Sequence, residues 1–240
     1  MKKLLIISFL LFAGTAKSQW FPQFSDEHQY YNTIFFIDSL NGWVGGYSGN
    51  SFILKTTNGG ENWNPSLINS SPSSIYFINN STGYCAAFDG IYKSTDDGSS
   101  WNINYQDSLH YNSIQFFDEN IGWAAGDNLS DSYLLKTENG GLTWNKYFVA
   151  SGITEPRIEM INEQTGFIIS LDENNIRKTT DGGKNWFVAN NDPYDHQLWD
   201  ISFADENNGF VCGINIFLYT SDGGNSWNKK FIPITFCTNI

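Results

Sequence analysis

Short apolar runs alternate with polar turns along this chain, and their lengths are those of β-strands. One kind of run begins with isoleucine and recurs at residues 34–37, 75–78, 114–117, 158–161 and 201–204. A polar turn follows each run, and a second run opens with glycine and an aromatic residue, at 42–43, 83–84, 122–123, 166–167 and 209–210. Runs of this length, bounded by turn residues, predict paired strands.

A glycine-containing turn motif of eight residues also occurs five times, after a third short run. Its last residue is always tryptophan, at Trp63, Trp101, Trp144, Trp186 and Trp227. These tryptophans are separated by 38, 43, 42 and 41 residues. A period near 41 residues with strand-type sequence predicts one four-stranded antiparallel blade per repeat. The predicted fold class is therefore all-β, a β-propeller with five repeats.

The residue types within the motif suit a turn. The third position carries a short side chain with an oxygen that accepts backbone N–H bonds, and it is Asn58, Asp96, Asn139, Asp181 or Asp222. The fifth position is always glycine, which tolerates a positive φ. Two of the five polar residues are amides, which are poor acids and weak metal ligands. We therefore predict a structural role for the motif, with its tryptophan filling space between sheets.

The pattern Ser/Thr-x-Asp-x-Gly-x-x-Trp resembles the Asp-box or BNR repeat of the sialidase-like and sortilin-like propellers. The resemblance covers about residues 30–230. With its glycine–aromatic strand and Lys-Thr-x-x-Gly-Gly turn, the repeat looks most similar to the photosystem II assembly-factor-like propellers. That resemblance implies an assembly or scaffold role through protein binding. The Asp-box families share the fold and differ in chemistry.

The N-terminal residues predict a leader. Residues 1–18 combine a basic start, an apolar run and small residues at 16 and 18, as in a secretory signal peptide. We therefore expect a propeller over residues 19–240 that is secreted, periplasmic or on the cell surface, without membrane insertion. Removal of the leader changes the formal net charge from −12 to about −15, and so acidic a surface disfavours nucleic acid.

The size of the ring is open at this point. Residues 19–24 align with 62–67 and resemble an extra fourth strand, whereas the last repeat has its own fourth strand at 228–236. The chain is then either a closed ring of five blades or part of a larger ring. Because an open ring would expose apolar edges, we favour the closed ring and expect a monomer.

The candidate ligand-binding residues lie on one side of this fold, which we call the loop face. It comprises the connections between blades and the turns between the second and third strands, around the mouth of the central channel. The candidates are His28, Tyr30, Tyr31, Asp89, His110, Tyr111, Asp127, Asp172, Tyr194, Asp195, His196 and Trp199. Aromatic rings stack on sugars or peptide side chains, and carboxylates bind hydroxyls or basic groups. We therefore predict a surface that binds a protein or a glycan.

Other chemistries are less compatible with the sequence. The sialidases in the resembled group need three arginines, and the chain has two, Arg157 and Arg177. A glycoside hydrolase using two of the carboxylates Asp89, Asp127, Asp172 and Glu173 is the alternative. No cofactor-binding motif is visible, and the three histidines belong to different repeats. We therefore expect no metal and no cofactor.

Three cysteines complete the candidate chemistry. Cys85 and Cys212 lie in apolar runs of different repeats, and we predict that both are buried. A disulfide between Cys212 and Cys237 within the last blade is left open by the sequence.

Overall fold

The computed structural model describes residues 29–191 and 197–231, which form twenty β-strands and no helix. The first blade contains β1 (Tyr30–Phe36), β2 (Gly42–Ser48), β3 (Asn50–Thr56) and β4 (Asn64–Leu67). The second contains β5 (Pro72–Phe77), β6 (Gly83–Ala87), β7 (Gly90–Ser94) and β8 (Asn102–Tyr105). The third contains β9 (His110–Phe116), β10 (Ile121–Asp127), β11 (Asp131–Glu138) and β12 (Asn145–Ser151).

The last two blades have the same plan. The fourth contains β13 (Arg157–Met160), β14 (Gly166–Ser170), β15 (Glu173–Thr179) and β16 (Phe187–Asn191). The fifth contains β17 (Leu198–Phe203), β18 (Gly209–Gly213), β19 (Ile216–Thr220) and β20 (Asn228–Phe231). In each sheet the four strands are neighbours in chain order and pair antiparallel. The predicted all-β propeller architecture is confirmed.

The first strand of a blade begins earlier than the sequence indicated. Tyr30, Tyr31, His110, Tyr111 and Trp199 were assigned to loops, but they belong to β1, β9 and β17. The register of β9 shifts where Gly126 pairs with Tyr111 and Ala125 with Ser113, so a bulge interrupts the strict alternation. The apolar pattern is broken at that bulge, which explains why the sequence marked only the later part of the strand.

Each turn motif closes in the same way. In the fourth blade, the Thr179 hydroxyl accepts the N–H of Gly183 at 3.0 Å and donates to Asp181 Oδ1 at 2.9 Å. The same Asp181 oxygen accepts the N–H of Asn185 at 3.0 Å. In the first blade Asn58 accepts the N–H of Asn62 through its amide oxygen, also at 3.0 Å. Aspartate and asparagine thus accept the same backbone hydrogen bond in this turn.

The cores of the molecule lie between blades. Four separate apolar clusters each draw on two consecutive blades. In the first cluster, Trp43 of β2 stacks on Phe77 of β5, with ring centroids 3.5 Å apart. The ring of Trp101 packs against Phe77 in an edge-to-face arrangement. Burial of these large apolar rings stabilises the packing of one blade on the next.

A fifth junction is not formed by the described residues. The first strands of consecutive blades pack from β1 to β17, but β17 does not pack on β1 in a comparable way. The direct contact that a closed ring of five blades requires is therefore not observed within 29–191 and 197–231. Among the described residues, side chains on both faces at this position are exposed, as Ile34 and Tyr219 are. Closure of a five-bladed ring therefore stays a prediction.

Two smaller expectations have different outcomes. Cys85 and Cys212 are fully buried, as predicted, and burial raises the pKa of the Cys85 thiol. Cys237 lies outside the described residues, as do residues 1–28, which hold the predicted leader and the extra strand. Among the described strands and turns, no helix is long and apolar enough to cross a membrane.

Candidate functional site

A central cavity runs between the first strands of all five blades. It encloses about 460 Å³ and is lined mostly by polar groups. Asn32, Ser74, Asn112, Arg157 and Asp200 each come from a different blade. This convergence follows from the topology, because the first strand of every blade is the one nearest the axis.

A second cavity of about 390 Å³ lies at the mouth of the channel on the loop face. It shares Asn32 and Arg157 with the central cavity, so the two adjoin. Its other lining residues are Glu155, Leu171, Asp172, Gln197 and Trp199. We call the two cavities together the channel site. It combines one large aromatic side chain, one guanidinium and several carboxyl and amide groups.

Glu159 is the most perturbed acid of the channel site. Burial raises the pKa of this carboxyl to about 7, and the nearby charge of Asp200 acts in the same direction. A hydrogen bond from the backbone N–H of Phe203 opposes both effects and lowers the pKa. A carboxyl that is half protonated at neutral pH can donate or accept a proton there.

Gln115 occupies the same position one blade earlier and indicates what Glu159 does for the fold. Its amide donates to the carbonyl of Met160 at 3.1 Å and accepts the N–H of Met160 at 2.7 Å. Glu159 likewise accepts the backbone N–H of Phe203 in the next blade. A protonated carboxyl has a donor and an acceptor, as the glutamine amide does, so the neutral form of Glu159 is the one that resembles Gln115.

Tyr111 and Asp127 have structural roles that correct their assignment to a ligand-binding surface. Tyr111 is fully buried and donates to Asp107 Oδ1 at 2.8 Å, and burial raises the pKa of its phenol. Asp127 is also buried. Its two oxygens accept the N–H groups of Leu129 and Glu155, both at 2.9 Å. Neither side chain is accessible to a ligand, because inter-blade packing covers both.

The other described candidates remain accessible but are not brought together at one point. Tyr30 and Tyr31 are exposed on β1. His110 stacks on Phe88, with ring centroids 3.9 Å apart. Asp89 accepts the hydroxyl of Tyr92 at 3.2 Å. Different blades carry these groups around the rim.

Asp172 and Trp199 are the two candidates that the structure does bring into one site. Both line the mouth cavity. Asp172 is exposed, and one of its carboxylate oxygens accepts the hydroxyl of Thr154. Their role in binding stays a prediction, as it does for the accessible residues of the rim. His28, Tyr194, Asp195 and His196 lie outside the described residues.

The sequence did not single out Glu159, Asp200 or Gln115. Gln115 and Glu159 lie within the apolar runs 114–117 and 158–161, and Asp200 precedes the run 201–204, so apolar neighbours mask all three. The only sequence signal was a polar residue at alternate positions of an apolar strand, as in Ile158-Glu159-Met160. Within the ranges 29–191 and 197–231, no three potential metal-ligating side chains form a group.

Comparison with known proteins agrees with this architecture. No family model matches the chain. It is 25% identical over 121 residues to the photosystem II assembly lipoprotein Ycf48 of Synechococcus sp. strain CC9902, which covers 48% of this chain and 35% of that protein. The chain thus matches about a third of the length of this curated relative. Together, fold and sequence define a β-propeller similar to photosystem II assembly factors.

Solved structures show the same fold. A structure of YCF48 bound to a D1 peptide has a TM-score of 0.64 and 19% identity, and the match covers 84% of this chain and 66% of that one. The GH74 enzyme of Niastella koreensis has a TM-score of 0.68 and 14% identity, covering 84% of this chain and 38% of the enzyme. YCF48 from Cyanidioschyzon merolae has a TM-score of 0.54 and 16% identity, covering 85% of each chain. At these identities the likeness concerns the fold.

Proposed function

We propose that this protein is a secreted, non-enzymatic Asp-box propeller that binds an extended segment of a partner protein in the channel site. The observation that carries the proposal is the continuity of the mouth cavity with the central cavity through Asn32 and Arg157. A peptide side chain entering the mouth has a polar channel beneath it. The similar propeller YCF48 has been solved with a D1 peptide bound.

The charge of the channel site favours a basic segment. Glu155, Asp172 and Asp200 line the two cavities with one cation, Arg157. The whole chain carries a formal net charge of −12. Lysine or arginine side chains complement this surface, and their attraction weakens with added salt. Trp199 offers a ring face on which such a side chain can stack.

The test compares labelled peptides that are matched except for lysine or glutamate. We expect the lysine peptide to bind and the glutamate peptide not to bind in a fluorescence anisotropy titration. Trp199→Ala and Asp172→Asn should each weaken binding about 5-fold or more, which corresponds to ~1 kcal/mol. Glu61→Gln is the matched control, because Glu61 is exposed in a turn motif at the opposite end of the first blade. Equal affinity for both peptides, or no effect of either variant, contradicts the proposal.

A carbohydrate-active hydrolase is the second candidate, and one observation favours it. Burial raises the pKa of the Glu159 carboxyl to about 7, and the charge of Asp200 lies close to it. Glycoside hydrolysis uses two carboxyl groups, one as the acid and the other as the base or nucleophile. GH74 enzymes are among the structures with this fold. Release of reducing sugar from xyloglucan by the native chain, and its loss in Glu159→Gln, would favour this candidate. Glycan binding without turnover would instead indicate a lectin-like role for the same site.

A further inference from the structure

Every junction between consecutive blades is built from the same two faces. The leading face of a blade carries an isoleucine and an aromatic residue or methionine of its first strand, as Ile75 and Phe77 do on β5. The trailing face of the blade before it carries the aromatic residue of the second strand and an apolar residue of the third, as Trp43 and Ile53 do. The five described blades therefore form four complete pairs of leading and trailing faces.

Hydrogen bonds to the turn motif reinforce each pair. Trp43 Nε1 donates to the carbonyl of Asp97 at 3.0 Å, and Tyr84 Oη donates to the carbonyl of Gly140 at 2.6 Å. Trp123 Nε1 donates to the carbonyl of Gly182 at 3.1 Å. In the last junction Lys178 Nζ reaches the carbonyl of Gly223 at 2.7 Å. A donor on the trailing face thus meets the fourth residue of the next blade's turn motif.

The leading face of the first blade is complete, but no blade among the described residues packs on it. Ile34 is 61% exposed and Phe36 is 40% exposed. Their counterparts in the second blade, Ile75 and Phe77, are buried. Phe36 keeps the contact with its own motif tryptophan, Trp63, whose ring lies 6.1 Å away edge-on. The face is therefore preformed, and no described blade covers it.

The trailing face of the fifth blade is equally complete, and the described residues leave it exposed. Phe210 is 36% exposed and Tyr219 is 40% exposed, and these two residues pair directly across β18 and β19. Phe217 lies beside Phe210, with ring centroids 5.5 Å apart. In the other four blades the residue at the position of Tyr219 is lysine. The fifth trailing face is thus the most apolar of the set.

We infer that these two faces bind each other between copies of this chain, so that the trailing face of one molecule docks on the leading face of the next. In the four junctions within the chain, a trailing face always binds a leading face. A second copy of the chain offers both kinds of face. The Tyr219 hydroxyl takes the place of the lysine donors, and the carbonyl of Gly59 is the equivalent acceptor in the first blade. Gly59 is half exposed, whereas Gly140, Gly182 and Gly223 are buried.

This association is head to tail, because two different faces meet. Such contacts extend into an open assembly unless the rotation closes a ring. The inference departs from the monomer expected from the sequence, since that expectation assumed that the first and fifth blades cover each other. Ile34 also lines the central cavity, but the inference is tested by the mass of the assembly and not by peptide binding in the channel site.

Sedimentation velocity with two single variants tests the inference. Ile34→Asp removes the leading face and Phe210→Asp removes the trailing face, and both positions are exposed enough for the variants to fold. We expect the native protein to gain mass with concentration and each variant alone to remain a monomer. An equal mixture of the two variants should form a dimer of twice the monomer mass and nothing larger, because one intact face of each kind remains. Leu142→Asp, at an exposed position of the third blade, is the control and should assemble as the native protein does.

Three results would overturn the inference. One is a native protein that stays monomeric at all concentrations, which would mean that the faces are covered in another way. Another is a single variant that still dimerises, which would indicate a symmetric contact between identical faces. The third is a mixture of folded variants, checked by circular dichroism, that forms no dimer.

Discussion

At the scale of single residues, the same polar position of the innermost strand is filled by glutamine in one blade and by glutamic acid in the next. Gln115 bonds both the N–H and the carbonyl of Met160. Glu159 accepts the N–H of Phe203, and partial burial of its carboxyl raises the pKa to about 7. The fold therefore favours the neutral form of this acid, and its stability depends on pH.

Glu159→Gln should remove part of that pH dependence. The folded-state pKa of about 7 lies above the ordinary value of 4.5, so the native carboxyl is most stabilising below pH 4.5 and loses this contribution as pH rises through 7. We expect the variant to be more stable than the native protein by about 1 kcal/mol at pH 8, after a discount for partial exposure. At pH 4.5 the two should be nearly equal. Urea unfolding at both pH values measures the difference.

Glu163→Gln is the matched control for this prediction, because Glu163 lies in the following turn and is exposed. It should leave the free energy of unfolding unchanged at both pH values. A Glu159→Gln variant that is equally destabilised at pH 4.5 and pH 8 would contradict the assignment of a neutral carboxyl.

The buried phenol of Tyr111 gives a second prediction at this scale. Tyr111→Phe removes the hydrogen bond to Asp107 and leaves the ring in place. We expect a loss of about 1–2 kcal/mol in the free energy of unfolding, because the acceptor is a charged group. Binding of the lysine peptide should not change, since the side chain is inaccessible. A variant of native stability with weakened peptide binding would restore Tyr111 to the ligand-binding surface.

At the scale of elements, the turn motif links local conformation to packing between blades. Gly183 has φ of +93°, and a Cβ atom built there would overlap Leu134 on the blade before it. Gly152 has φ of +77° but faces open space. Alanine substitutions at these two glycines therefore distinguish the free-energy cost of a left-handed backbone from the cost of overpacking.

Gly183→Ala should destabilise the fold by about 2–4 kcal/mol, as the sum of backbone strain and a clash with Leu134. Gly152→Ala should cost only about 1 kcal/mol, from the backbone alone. Thermal and urea unfolding of both variants measure the difference. Equal losses of stability in the two variants would show that Leu134 moves to avoid the clash and that packing against the neighbouring blade does not restrict this turn.

The elements were predictable from the sequence because their signals are local. The turn glycines, the paired Ser/Thr and Asp/Asn and the final tryptophan lie within eight residues, and their hydrogen bonds are the expected ones. The start of the first strand was not predictable, because the bulge before Ser113 breaks the alternation. The burial of Asp127 was not predictable either, since its partner Glu155 belongs to the connection that leads into the next blade.

At the scale of the whole molecule, the described blades pack on one another in chain order around a central cavity. The four apolar clusters join consecutive pairs of blades. The stability of such an array is close to a sum of blade and junction contributions. The channel site was not predictable from the sequence. Asn32, Arg157 and Asp200 come together only because blades far apart in the chain surround one axis.

This architecture predicts a gradient of local stability that depends on concentration. The third blade has a neighbour on both sides, whereas no described blade covers the outer faces of the first and fifth blades. At low concentration, amide hydrogens of β10 should therefore exchange most slowly, and those of β18 and β19 much faster. At high concentration, head-to-tail docking should slow exchange in β18 and β19 and leave β10 unchanged. Hydrogen exchange followed by mass spectrometry, with Phe210→Asp as the non-docking control, measures both effects; uniform exchange across the blades in the dilute protein would mean that the array unfolds as one unit.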